Sequence, residues 1–437
     1  MAHQRRTLHT RSIWTFSGAG LVLLAGIFIA SSCLYVPPDP EKMPPDGCDV
    51  PADITYAGAC GTCGTGTWEC DEQGQVFCDG DVGPDAINEC GGCEILTPGP
   101  GSPCGSCGAA LYECTTIDSV ECSGGGDCPL GSACSTNAEC APGQCSNGHC
   151  SMPNFAYIPA GTYMRGSPEG ERRRVEGETL HEVTITRPFL MQENPVTQGE
   201  WYRVMGFNPS YFSNCGENCP AESMTWIESL AYANAMSKQL GLEQCYDLSE
   251  CTGSPGNRLR CPLDNIDFDF DCDGFRLPTE AEREYAHRAG TTSAFYLGEV
   301  DSNSQCDQPL LDEMAHYCGN CEPHYEGGVD CGSDTRPHFP DNCGTGIVGL
   351  KTPNAWGLYD MSGNVEEFCW DRIADYPTGS VTDPKGPHSD DGGRRIVRGA
   401  GFCGHMARLR SADRKSVRPT ETRRGTGFRL VRTVVAD

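Results

Sequence analysis

Residues 398–405 read RGAGFCGH, a glycine-rich turn carrying one cysteine near the C-terminus of a 437-residue chain. Three fates are open to Cys403: a catalytic thiolate, half of a disulfide, or an idle thiol. The cysteine count around it frames the choice. Residues 151 to 437 hold thirteen cysteines, so pairing within that segment leaves one over.

The whole chain holds 30 cysteines, a number that fits an oxidising compartment and predicts export. Its start agrees. Arg5, Arg6 and Arg11 precede the apolar run AGLVLLAGIFIA (19–30), which has the length and flanks of a cleaved signal rather than of a membrane span. The following Ala30, Ser31, Ser32 and Cys33 resemble a bacterial lipobox in which Ala30 replaces the usual larger aliphatic residue. That resemblance makes 1–33 a lipoprotein-type signal and Cys33 the lipidated N-terminus, with an uncleaved anchor as the alternative. Leu34 after the cysteine, rather than Asp, points by the same resemblance to the outer membrane or cell surface.

Residues 34–59 include VPPDPEKMPPDG, whose prolines predict an extended spacer. A repeat follows over 60–150. Cys60, Cys63, Cys70, Cys78 and Cys90 recur 44 residues later as Cys104, Cys107, Cys114, Cys122 and Cys134, with GTCGTGTWEC matching GSCGAALYEC. The two CxxC pairs have zinc-ribbon spacing, but export favours disulfides, and a segment this poor in large apolar residues needs them. Sixteen cysteines between Cys48 and Cys150 can pair among themselves. The same stretch holds fifteen acidic residues and no Lys or Arg, which predicts a solvated stalk or binding module. With a formal net charge of −28, nothing in the sequence points to nucleic acid.

From Phe155 onward the pattern becomes α+β. Three capping boxes of the form Thr-x-x-Glu start helices at Thr197, Thr225 and Thr279, and Gly206, Gly241 and Gly290 stand where left-handed stops belong. Short strands such as FAYIPAGTYM, HEVTIT and the closing TGFRLVRTVV alternate with long glycine-rich loops. The segment 151–437 therefore reads as one loop-rich domain.

Its motifs occur in a fixed order: FAYIPAGTYMRGSP, PVTQGEWYRVMGFNPSYF, GFRLPTEAEREYAHRAGTTSAFYLG, PNAWGLYDMSGNVEEFCWD, RIVRGAGF and GFRLVR. Together they resemble the sulfatase-modifying-factor, or formylglycine-generating-enzyme, family from 155 to 432. The resemblance implies an α+β, C-type-lectin-like domain with little regular secondary structure. It also implies a choice of chemistry, because the family contains copper-dependent oxidases of protein cysteine, iron-dependent sulfoxide-forming enzymes and non-catalytic members.

The resembling oxidases hold copper with two thiolates in Tyr-x-Cys-x4-Cys just after Arg-Gly-Gly-Ser, a soft donor pair suited to Cu(I). Here that run is Arg398, Gly399, Ala400, Gly401, Phe402, Cys403, Gly404, His405, Met406. Cys403 aligns with the first cysteine only with a shift, and Met406 lies near the place of the second. The expectation is a non-oxidase binding or envelope-assembly module for a protein or glycan ligand. The alternative is an oxidase with Cys403 as the catalytic copper ligand, helped by His405 and Met406. A bridge from Cys369 to Cys403, or to a cysteine of the insertions, is the disulfide reading.

Two calcium sites are expected. By resemblance, Asp360, Gly363, Val365 and Glu367 match an Asn-x-x-Gly-x-Ala-x-Glu calcium loop with Asp in place of Asn, while Glu366 and Phe368 replace its usual Trp pair. Independently, DFDCDGFRLPTE fits a D-x-D-x-D-G-x5-E loop through Asp269, Asp271, Asp273, the carbonyl of Phe275, and Glu280. The helix start at Thr279 competes with that second reading, since it would make the acids neighbours of a helix N-terminus. Twelve Lys and Arg between 394 and 432 are expected to serve internal ion pairs and a solvated face, with an anionic ligand as the alternative.

Overall fold

The computed structural model describes residues 130–140, 143–300, 304–332, 339–387 and 393–434, together with six short strands between 59 and 123. The apolar run 19–30, Cys33 and the Pro-rich linker lie outside the described residues. The chain divides into two compact units, Met1–Ile87 and Asn88–Asp437.

The sequence repeat becomes a structural one. In the first unit β1 (Ala59–Cys60), β2 (Gly66–Cys70) and β3 (Val76–Asp79) form an antiparallel sheet. In the second, β4 (Pro103–Cys104), β5 (Ala110–Thr116) and β6 (Ser119–Ser123) form another. Trp68 opposes Cys78 as Tyr112 opposes Cys122, so the 44-residue offset is kept in the strand register.

The globular domain starts earlier than the expected boundary at 151. A hairpin of β7 (Gln144–Ser146) and β8 (His149–Ser151) is stapled by Cys134–Cys145 and Cys140–Cys150. It joins the domain through specific bonds to β9 (Phe155–Ile158). Gln144 Nε2 donates to the Phe155 carbonyl at 3.1 Å and to Glu193 at 2.8 Å, and the His149 ring stacks on Tyr157 at 4.1 Å. Residues 130–150 thus belong to the globular fold, because this knot spends its side chains on the first domain strand.

Two four-stranded sheets carry the rest. One runs β15 (Phe275–Arg276), β21 (Val431–Thr433), β12 (Phe189–Gln192), β9, all antiparallel. The other runs β19 (Lys415–Val417), β18 (Arg395–Arg398), β16 (Glu366–Arg372), β20 (Thr426–Gly427), its last pair parallel. A small sheet joins β10 (Gly161–Arg165), β11 (His181–Ile185) and β17 (Val381–Thr382), and a disulfide-pinned hairpin joins β13 (Thr252–Ser254) to β14 (Asn257–Arg260).

All three expected capping boxes form, at the starts of α1 (Gln198–Met205), α2 (Trp226–Gln239) and α3 (Glu280–Arg288). Each satisfies two orphan backbone donors and stabilises its helix by about 1 kcal/mol. The stop after α3 differs from expectation. Ala289 already takes the left-handed conformation at φ 45°, donating to Tyr285, and Gly290 follows it. On the apolar side, α2 buries Trp226 and Leu230 against Phe275, Trp370 and Phe428. In contrast, α3 is buried along its whole length although six of its nine residues, EAEREYAHR, carry ionisable charge or a histidine ring.

Candidate functional site

A buried helix of charges is tolerated only if each charge finds a partner. Glu280, at the start of α3, faces Arg165 (2.6 Å), Arg398 (3.0 Å) and Arg414 (2.8 Å). Glu282 takes both ends of Arg276 at 2.7 Å, and Glu284 binds Arg288 and Arg398. Arg283 donates at 2.8 Å to Glu367 of β16, whose other oxygen accepts from Arg429 at 2.8 Å. Arg410 is matched in the same way by Glu178 and Glu171, each at 2.6 Å. The internal-pair reading of the C-terminal basic stretch thus holds for Arg398, Arg410, Arg414 and Arg429.

This network surrounds the residues of the first calcium reading. Burial alone would raise the Glu367 pKa, but Arg283 and Arg429 hold it below the usual carboxylate range. Its two oxygens accept three guanidinium hydrogen bonds, so in this structure the carboxylate is already neutralised. Asp360 accepts from the Gly349 N–H at 2.8 Å and lies near the Asn364 amide at 3.4 Å. Gly363 donates to the Gly399 carbonyl at 2.7 Å, and Val365 is buried. In this structure the four residues form a clasp of hydrogen bonds and buried ion pairs.

The residues of the second calcium reading take separate partners. Asp269 accepts from the Asp271 N–H, Asp271 binds Arg187 at 2.9 Å, and Asp273 accepts from the Glu243 N–H at 3.0 Å. Phe275 lies in β15, paired with β21. Glu280 points its carboxylate into the arginine cluster instead. The helix start at Thr279 takes the segment that the loop would need, so the five residues do not converge.

RGAGFCGH itself is a tight turn laid against that clasp. Phe402 N–H donates to the Asn364 carbonyl at 2.9 Å, and Asn364 exchanges side-chain bonds with Gly346. A Cβ on Gly404 would fall 2.7 Å from that of Ala400, so the turn requires glycine there. Ala400, at φ 56°, occupies a left-handed position that costs a non-glycine residue roughly 1 kcal/mol.

Cys403 is bonded to Cys331, which corrects its expected role as a thiolate. Its sulfur cannot be a copper ligand while that bond is closed, and of the two expected helpers Met406 lies in another cluster. Met406 is buried among Ala400, Leu409 and Met361, whereas Cys403 packs against Phe212 and Phe402. The copper set therefore does not fit this disulfide-bonded fold. The unpaired thirteenth cysteine is Cys369, whose thiol burial pushes well above its ordinary pKa, so it is not a poised nucleophile. The other ten pair within their own insertions, as Cys215–Cys219, Cys245–Cys272, Cys251–Cys261, Cys306–Cys318 and Cys321–Cys343.

Beside the Cys331–Cys403 bridge opens a cavity of about 440 Å³, within the usual size of small-ligand sites. Its wall includes Gly401–His405, Glu366, Arg408, Lys415, Arg423 and Arg424. Its floor is rigid. Phe402 meets Phe212 edge to face at 5.1 Å, and the sulfurs of Cys321, Cys331 and Cys343 lie within 4.8 Å of one another.

Residues 143–434 match the sequence model of the sulfatase-modifying factor enzyme 1-like domain, about two thirds of the chain. The chain belongs to this family. Among relatives, chaperone protein LppX of Paenibacillus barcinonensis is 35% identical over 195 residues, 43% of this chain and 64% of its own. The formylglycine-generating enzyme of Thermomonospora curvata is 32% identical over 36% of this chain and 48% of its own. That of Streptomyces coelicolor is 25% identical over 62% of this chain and 87% of its own. The chain thus spans about half to two thirds of the length of the first two. Among solved structures, Treponema denticola variable protein 1 aligns at 29% identity with a TM-score of 0.49, covering 64% of this chain and 94% of that one.

In this sulfatase-modifying-factor domain, the glycine turn lies beside the Glu367–Arg429 pair. Sequence reasoning missed two features of the site. Cys331, in an insertion 72 residues before Cys403, is its partner, and Glu366, noted only as a departure from a Trp, is the carboxylate of the cavity. The run of basic residues after 394 was the one available signal for the cavity's charge.

Proposed function

We propose that this protein is an exported surface protein, lipid-anchored at Cys33, whose sulfatase-modifying-factor domain is a ligand-binding or assembly module rather than an oxidase. One observation carries this reading: the cysteine of RGAGFCGH is spent on a disulfide to Cys331, and the same run offers no second cysteine. Copper chemistry of the oxidase type needs a free pair of soft donors. The cavity beside that bridge is the binding site in this reading. A non-oxidative role is in keeping with the relative named a chaperone protein.

The rival oxidase reading draws on the same bridge, since reduction would release Cys331 and Cys403 together beside Cys321 and Cys343. The test therefore has two arms. Purified full-length protein, as isolated and after mild reduction, is supplied with Cu(I), oxygen and a peptide carrying a sulfatase-type CxPxR sequence. The expected result is an unaltered peptide cysteine by mass spectrometry in both arms. Conversion of that cysteine, abolished by Cys403→Ser, would establish the oxidase instead.

A further inference from the structure

The cavity beside Cys403 differs from the buried network in its charge balance. Its lining holds four cations, Arg408, Lys415, Arg423 and Arg424, and a single carboxylate, Glu366. That carboxylate is shared, binding Lys415 Nζ at 2.6 Å and Arg423 Nη1 at 3.3 Å. Behind the lining, Arg408 leans on Asp413 at 3.1 Å. Arg423 also meets Glu421 at 3.5 Å, but both are about two fifths exposed and such a pair contributes little.

Arg424 has no carboxylate partner among the described residues. Its guanidinium lies 3.9 Å over the exposed ring of Tyr211, which holds it without neutralising it. A concave site concentrates such a field, and Phe402 and Cys403 of this lining are backed by an apolar cluster that includes Phe212. A chain of net charge −28 repels anions at long range, so a cationic hollow on it favours a ligand that reaches and fills the hollow itself.

We propose that this cavity binds an oxyanion-bearing ligand, a carboxylate, sulfate or phosphate group, held by Lys415, Arg423 and Arg424. Glu366 is the internal counter-ion with which the ligand shares these cations. Guanidinium pairs suit planar or tetrahedral oxyanions because they donate two parallel hydrogen bonds. Glu366 satisfies Lys415 and Arg423 in the empty cavity, so that state is not strained. The proposal rests on the binding-module reading, and it deepens that reading by naming the ligand's chemistry.

The test is a calorimetric titration of the full chain at constant ionic strength with sodium sulfate, phosphate or acetate, which separates the three oxyanion sources. Saturable binding of at least one is expected. Arg424→Ala, at a guanidinium stacked over Tyr211, should weaken it about tenfold, as should Arg423→Gln. Glu366→Gln should tighten it about threefold by removing the competing charge. No saturable binding, or binding left unchanged by both arginine variants, overturns the proposal. So does a Glu366→Gln variant that folds normally but binds more weakly than the parent. Cysteine oxidation in the copper assay would instead overturn the binding-module reading, a readout that the anion titration does not share.

Discussion

Two groups of arginines in one C-terminal stretch behave in opposite ways. Arg398, Arg410 and Arg429 are buried, and each meets at least one carboxylate at 2.8 Å or closer. Arg423 and Arg424, only a few residues away, are exposed; Arg423 shares one buried carboxylate with Lys415 and meets one exposed one, and Arg424 has none among the described residues. The physical difference is desolvation. A buried guanidinium must be neutralised for the domain to fold, whereas one at a cavity rim stays hydrated and can wait for a ligand. Charge saturation therefore separates cations that build this fold from cations that serve its site.

The largest effect should come from breaking a saturated pair. Glu367→Gln leaves Arg283 and Arg429 buried without their anion, and should cost about 3–5 kcal/mol in denaturant unfolding. A loss below about 1 kcal/mol would mean that the clasp is no more essential than a surface pair. Next in size is the bridge that walls the cavity. Replacing Cys331 and Cys403 together by Ser opens a loop of 72 residues and should cost about 2–4 kcal/mol, while Cys369→Ala, at a thiol bonded to nothing, should leave the non-reducing disulfide map unchanged.

The smallest effect sharpens the border between the two groups. Asp413 is buried and faces Arg408, Lys415 and Arg410, with Glu178 also near; burial pushes its pKa up to about 6 despite the three cations. A carboxyl raised in the folded state contributes stability that is fully present below pH 3.8 and is lost as pH rises through about 6. Asp413→Asn should therefore gain roughly 1–2 kcal/mol on the parent between pH 4 and pH 8. Parallel stability curves for the two proteins would place Asp413 with the ordinary surface acids.

Much of the architecture was readable in advance. The three Thr-x-x-Glu boxes begin the three expected helices because a capping box is a local device, complete within four residues. The 44-residue repeat survives in strand register for the same reason, since a hairpin is set by near neighbours. The site was less legible. Asp360 and Glu367 stand at calcium spacing, yet the cations that claim Glu367 come from positions 283 and 429, and spacing along one loop is blind to them.

The sequence by itself determined the family, the helix starts, the odd number of cysteines in the domain and the excess of basic residues near its end. Only the tertiary structure decided which cysteine stayed single and which arginines were spent. Pairing of sulfurs and of buried charges depends on distances between segments far apart in the chain. Cys403 meets Cys331, and Glu366 meets Lys415 and Arg423, only after the sheets have brought those segments together.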